Sequence, residues 1–221
     1  MPKSNMEKTP PKGSVRFSLS LSQEQKKAKT EILKHPFNFI VGKAGSGKTL
    51  LAVQVALDQF FKRQFNKIII TRPTISTEDN GFLPGSEREK MEPWLVPIRS
   101  NMRKVYNKPM ILQKMEKTEQ IELVSLAHFR GRTFDNAIVI VDEFQNLTRS
   151  QLAMAIGRLG KDSKMLFCGD SYQIDLKDKN YSAYHDMSKL VNSKYVYKTV
   201  LEDSHRHGAI DELLELLNGY H

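Results

Sequence analysis

The stretch that most restricts what this chain can fold into is "FIVGKAGSGKTLLA", residues 39–52. An apolar run breaks at Gly42, passes through a glycine-rich loop, meets Lys48-Thr49 and continues into a segment of helical character. Residues Gly42 to Thr49 match G-x-x-x-x-G-K-[ST], and a strand before with a helix after is the context this pattern needs. Glycines at 42, 45 and 47 let the backbone bend until its N–H groups converge on phosphate oxygens, and the helix N-terminus adds its positive end. Lys48 then reaches the β- and γ-phosphates, and Thr49 offers a hydroxyl to Mg²⁺. Gly42, Ala44, Gly45, Ser46, Gly47, Lys48 and Thr49 are therefore assigned to a nucleoside triphosphate.

The remaining sequence supplies an α/β frame for that loop. Apolar runs at 37–42, 67–72, 121–125, 136–143, 163–170 and 194–201 alternate with helical stretches. Most runs are continuously apolar, as expected of strands buried on both faces of a parallel sheet. Ser22 is the N-cap of a predicted amphipathic helix ending about Lys34. Further helices are predicted at 47–63, at 86–106 with interruptions at Pro93 and Pro97, at 148–160 and at 208–218, while 107–120 has no clear pattern. Residues 1–16 carry Lys3, Lys8, Lys12 and Arg16 among prolines and polar residues, which predicts a disordered basic tail. Residues 17–221 are expected to form one domain with helices on both sides of a mainly parallel sheet.

Two further strand ends carry polar residues. "AIVIVDEFQN" ends an apolar run in Asp142, suited to hold Mg²⁺, and Glu143, suited to orient or deprotonate an attacking water. "FCGDSYQIDL" at 167–176 offers Gln173, either as a contact to the γ-phosphate or as a solvated turn residue.

Taken together, "GKAGSGKT", "ITRP" at 70–73, "GFLPG" at 81–85, "EKMEPWLVPI" at 89–98, "RGRTF" at 130–134, "VDEFQN" at 141–146, "GDSYQIDL" at 169–176 and "DSHRH" at 203–207 resemble the PhoH-like proteins, P-loop ATPases related to the first core domain of superfamily-one helicases. The resemblance spans about residues 20 to 218. It implies a RecA-like fold, ATP binding and hydrolysis, coupling to RNA or DNA, and assembly into a homo-oligomer such as a ring. It assigns Lys48 and Thr49 to phosphates and Mg²⁺, Asp142 and Glu143 to Mg²⁺ and water, and Gln173 to sensing. "LSQEQKKA" at 21–28 resembles a helicase adenine-recognition pattern, placing Gln25 either against the adenine edge or on an exposed helix face. "LEDSHRH" makes Arg206 the arginine-finger candidate, acting within its own subunit or on a neighbour, or else an ordinary surface arginine. Two positions depart from the family pattern. Phe144 stands where a small residue is usual, and Gly208 where a proline commonly follows Arg-His.

Composition narrows the partners. With 34 Lys+Arg against 25 Asp+Glu, the net charge of +9 draws the chain toward polyanions. Cations between the second strand and Asp142, with Trp94, Tyr106 and Phe129 among them, suit phosphates and stacked bases of single-stranded RNA or DNA, with Arg72 and Arg132 as the strongest single candidates. One cysteine, Cys168, excludes an internal disulfide and a cysteine-built zinc site, and is read as packing. No apolar run approaches the roughly 20 residues of a membrane span, and the N-terminal stretch lacks a signal-peptide core, so a cytoplasmic location is expected. The expected activity is a nucleic-acid-coupled, Mg²⁺-dependent ATPase with helicase-like chemistry. The alternative is an ATP-bound switch of negligible turnover that binds nucleic acid or protein. A small-molecule kinase is disfavoured, because no lid or acceptor pocket is recognisable.

Overall fold

Residues 15–73, 87–203 and 208–218 are described by the computed structural model. The predicted tail over 1–16 falls almost wholly outside them, as do "GFLPG" and Arg206. Among the described residues, six strands form one sheet in the order β3-β2-β4-β5-β1-β6: β1 (Phe37–Gly42), β2 (Lys67–Thr71), β3 (Ile121–Leu123), β4 (Ala137–Val141), β5 (Lys164–Gly169) and β6 (Val196–Leu201). Every pairing is parallel. The reason is visible in β4 and β5: every residue of "AIVIV" and of "KMLFCG" is buried, so neither strand has a face for water.

Helices α1 (Gln23–Lys34), α2 (Lys48–Phe61), α3 (Glu87–Val105) and α4 (Pro109–Lys117) cover one face, packing Ile32, Leu51, Val55, Met102 and Leu112 against Ile40, Ile68, Ile138 and Leu166. The other face packs Phe39, Val139 and Phe167 under α5 (Arg149–Ile156), α6 (Met187–Leu190) and several 3₁₀ turns. α7 (Gly208–Asn218) closes the described chain. No helix among the described residues is long and apolar enough to cross a membrane.

α1 is fixed at both ends. Ser22 and Gln25 form a reciprocal capping box at its start. At its end the Lys164 ammonium donates to the carbonyls of Ile32 (2.9 Å), Leu33 (3.4 Å) and His35, satisfying acceptors the helix leaves open. Asp58 ties α1 to α2 through Lys29 at 2.7 Å and also pairs with Lys62 at 3.0 Å. Burial raises the Asp58 carboxyl, but the hydrogen bonds and charges of Lys29 and Lys62 outweigh it and hold the group below its ordinary 3.8. A depressed carboxylate contributes stability that is fully present above its unfolded value and is lost as pH falls through the folded one. Asp58→Asn is therefore expected to cost about 1–2 kcal/mol at neutral pH. In thermal melts the gap between variant and parent should close below about pH 4; a gap constant to lower pH would refute the pairing.

The predicted interruptions of α3 at Pro93 and Pro97 do not occur, and 87–105 is one helix. Both prolines lie on its exposed side, four residues apart, so the carbonyls they leave without a donor can face water. The opposite side buries Leu95, Ile98, Met102 and Val105. The stretch without a clear pattern contains α4, which starts at Pro109, a residue whose fixed φ suits the first helical position.

Candidate nucleotide site

Because all strands run in parallel, their carboxyl ends open along one edge of the sheet, where such sheets bind ligands. The glycine loop follows β1, Gly169-Asp170 close β5, Asp142-Glu143 follow β4 and Arg72 follows β2. These four strand ends are neighbours in the order β2-β4-β5-β1.

The loop's first glycine is obligatory. Gly42 has φ 155°, and a Cβ there would lie 2.2 Å from the Leu201 carbonyl oxygen and 2.9 Å from Ser46 Oγ. At the loop's end, Gly47 caps α2 with no side-chain hydrogen bond, so the first N–H groups of that helix have no capping side chain and face the loop. Lys48 Nζ donates to the carbonyls of Gly42 (2.7 Å) and Lys43 (2.9 Å), which holds the ammonium across the loop mouth. Ser46 is buried, and its hydroxyl has no hydrogen-bond partner among the described residues. Gln25 is buried rather than exposed, and its Nε2 donates to the Ser46 carbonyl at 3.4 Å. The helix-start glutamine thus lies directly behind the loop.

Thr49 Oγ1 donates to Asp142 Oδ1 at 2.8 Å, joining loop and carboxylate across the intervening β5. Asp142 is 5% exposed. Burial first, and then the Glu143 charge, push its carboxyl up to about 6, against the opposing pull of Thr49, Arg72 and Lys48. A buried carboxylate so placed favours a cation beside it. Glu143 sits in the left-handed region (φ 53°), which turns the chain sharply after Asp142. Gln145 Nε2 donates to Glu143 Oε2 at 2.6 Å, and Arg72 Nη2 approaches Glu143 Oε1 at 3.7 Å.

The profile of the PhoH-like protein family matches residues 19–218. The chain belongs to this family. It is 35% identical over 186 residues to a PhoH-like protein of Mycobacterium leprae (82% of this chain, 53% of the relative), and 45% identical over 139 residues to one of Bacillus subtilis (62% and 43%). It is 37% identical over 140 residues to Protein PhoH of Escherichia coli (62% and 40%). The chain thus spans about half the length of these relatives or less. Among solved structures it is similar to the large terminase of a thermophilic bacteriophage (TM-score 0.54, 11% identity, 89% of this chain and 50% of that one). A similar likeness joins it to a Sulfolobus solfataricus SWI2/SNF2 ATPase core (TM-score 0.52, 13% identity, 86% and 47%). The fold is the RecA-like fold of P-loop NTPases.

Within this PhoH-like domain two residues matter that sequence reasoning did not assign. Gln145, wholly buried, donates to Glu143 and to the Gln173 carbonyl (2.9 Å) and accepts from the Asp170 N–H (3.1 Å), so it pins the Asp142-Glu143 turn to the end of β5. Only its position beside the acidic pair hinted at this. Ser182 Oγ donates to the Gln145 carbonyl at 2.5 Å and holds the same residue from below. Gln173 enters the site through that backbone carbonyl, and its own residue is exposed. Phe144, the departure from the family pattern, is accommodated because β5 ends in glycine: a Cβ on Gly169 would lie 2.5 Å from the Phe144 ring.

The residues read as nucleic-acid contacts separate into groups. Arg72 lies over the Trp94 ring (5.4 Å) beside Glu143, at the site itself. Arg132 pairs with Glu122 at 2.7 Å and lies over Phe134, away from it on the β3 side of the sheet. Phe129 and Tyr106 are buried in the core, so they are not stacking platforms; of the three aromatic rings only Trp94 is partly exposed. Cys168 is packing, as read from the sequence: burial above all, then the Asp142 charge, raises its thiol well above the ordinary value, which leaves it protonated.

Proposed function

We propose that this PhoH-like chain binds ATP with Mg²⁺ and hydrolyses it, and that turnover is coupled to single-stranded RNA or DNA. The observation that carries the first part is the 2.8 Å hydrogen bond from Thr49 to Asp142, which brings the loop's hydroxyl and a buried carboxylate to one point. Two oxygen donors converging there, one on a carboxylate raised by burial, fit a hard divalent cation. Thr49 and Asp142 would hold Mg²⁺, which when bound would supply positive charge against the negative charge that develops on the phosphates. The chain's own groups supply the rest. Backbone N–H groups of the loop and the start of α2 bind the phosphates, and Lys48 exchanges its carbonyl partners for β- and γ-oxygens. Glu143 accepts a proton from the attacking water, and Gln145 orients it. Gln173 and Arg206 are assigned to sensing the γ-phosphate, and Gln25 to the adenine. Self-association belongs to the same reading, with a neighbouring copy closing the open side of the site.

The net charge of +9 and the partly exposed Arg72–Trp94 pair on the site's edge support a polyanionic partner. One observation also favours the slow switch: both Glu143 oxygens have partners, which restrains the base.

The test is steady-state ATPase activity with Mg²⁺, with and without single-stranded RNA and DNA, beside Lys48→Ala. Turnover that one polymer stimulates and that Lys48→Ala abolishes is expected. ATP and polymer binding without turnover would replace the motor with the switch.

A further inference from the structure

The two partners of Glu143 differ in kind. Gln145 is wholly buried and has three hydrogen bonds through its side chain, so it is a fixed strut. Arg72 is partly exposed, its nearest nitrogen is 3.7 Å from Glu143 Oε1, and its guanidinium carbon lies 5.4 Å from the centre of the Trp94 ring. A pair of such exposure is weak and easily exchanged. Arg72 faces Oε1 as an ion pair and Gln145 donates to Oε2, so the carboxylate is held between two neighbours and the guanidinium charge draws it away from an attacking water. Removing Arg72 alone takes away that attraction and leaves the carboxylate held by Gln145.

We infer that Arg72 is a positioning residue that restrains Glu143, and that a single-stranded nucleic acid releases the base by drawing Arg72 to its phosphates and stacking on Trp94. The inference rests on the ATPase reading above and adds to it the device by which the polymer is sensed. A phosphodiester strand presents many charges to one guanidinium, whereas Glu143 presents one. Trp94 offers a ring face that a base can occupy once the guanidinium leaves it. Both changes involve neighbouring, partly exposed side chains, Arg72 just after β2 and Trp94 on α3.

The experiment compares parent, Arg72→Ala and Arg72→Lys at saturating Mg²⁺, with mixed-sequence single-stranded RNA and DNA oligonucleotides in separate arms. Melting curves confirm that each variant is folded. Arg72→Ala is expected to raise turnover without oligonucleotide by about fivefold, the population shift a weak exposed pair can hold, and to lose stimulation. Arg72→Lys, which keeps the charge, should restore the low basal rate. Trp94 is the chain's single tryptophan, so its emission reports the corner independently of turnover and should change when the effective oligonucleotide is added. An unchanged basal rate in Arg72→Ala, with only weaker oligonucleotide binding, would overturn the restraint and leave a plain phosphate contact. Lower turnover in both conditions would overturn it in favour of a role in the reaction itself. If neither polymer stimulates the parent while Arg72→Ala still accelerates, the restraint stands and the nucleic-acid coupling falls. A parent inert toward ATP whose Arg72→Ala variant is equally inert overturns both.

Discussion

Glu143→Gln is expected to lower kcat for ATP by about 10²–10⁴-fold, the contribution of a positioned general base. The geometry says why the loss should fall on kcat. Glu143 pairs with Gln145 and Arg72 rather than with the glycine loop, so the phosphate cradle of Gly42 to Thr49 keeps its own contacts. Asp142 keeps its hydrogen bond from Thr49, and loses a neighbouring negative charge that now raises its carboxyl. ATP should therefore bind the variant at least as tightly as the parent, and equilibrium titration with a fluorescent ATP analogue beside single-turnover hydrolysis would separate the two effects. A variant that hydrolyses at the parental rate would remove Glu143 from the chemistry. One that has simply lost ATP would show that its carboxylate helps to build the pocket instead.

The second large effect concerns the ring behind that carboxylate. Phe144 is fully buried, with ring centroids 5.1 Å from Phe39, 5.9 Å from Phe167 and 5.7 Å from Tyr184. Phe144→Ala should cost about 3–5 kcal/mol through lost contacts and the cavity left behind. In a chain of this size that lowers Tm by on the order of 10 °C. Gly169→Ala should also destabilise, because its methyl would press into the same ring at 2.5 Å. The two changes are not independent. In the Phe144→Ala background the ring clash is gone and only the 2.8 Å approach to Gln145 Oε1 remains, so the double variant should be more stable than the sum of the single losses. Strict additivity in thermal melts would show that ring and glycine do not form one unit.

Much of this arrangement can be read from residues alone, for a physical reason. The inner strands β1, β2, β4 and β5 are buried on both faces and so read as nearly continuous apolar runs, while the edge strands β3 and β6 are half-exposed and carry mixed runs; all six runs fall within a few residues of a strand. The glycine loop is legible because phosphate binding demands residues that few other purposes require together. The reach of α3 across Pro93 and Pro97 was not legible, since proline is tolerated there only because both face solvent, a fact of packing. Short, basic α4 carries too few periodic positions to announce itself. The pairing of Arg72 with Glu143 depends on β2 lying next to β4, and the hub at Gln145 depends on β5 lying on the other side of β4. No local pattern encodes strand order. Sequence alone could therefore nominate Arg72 for a polymer but could not see that it also faces Glu143.

The position of β5 between β1 and β4 has one more consequence. Neighbouring strands lie about 4.8 Å apart, so the strands that carry the phosphate loop and the carboxylates are separated by roughly 10 Å of hydrogen-bonded backbone. That strand works as a gauge block: it sets the gap that Thr49 and Asp142 close, and it sets it from the interior. Surface loops can then vary in length or charge without altering the spacing between the glycine loop and the Asp142-Glu143 turn, whereas a one-step slip of β5 would misplace both at once.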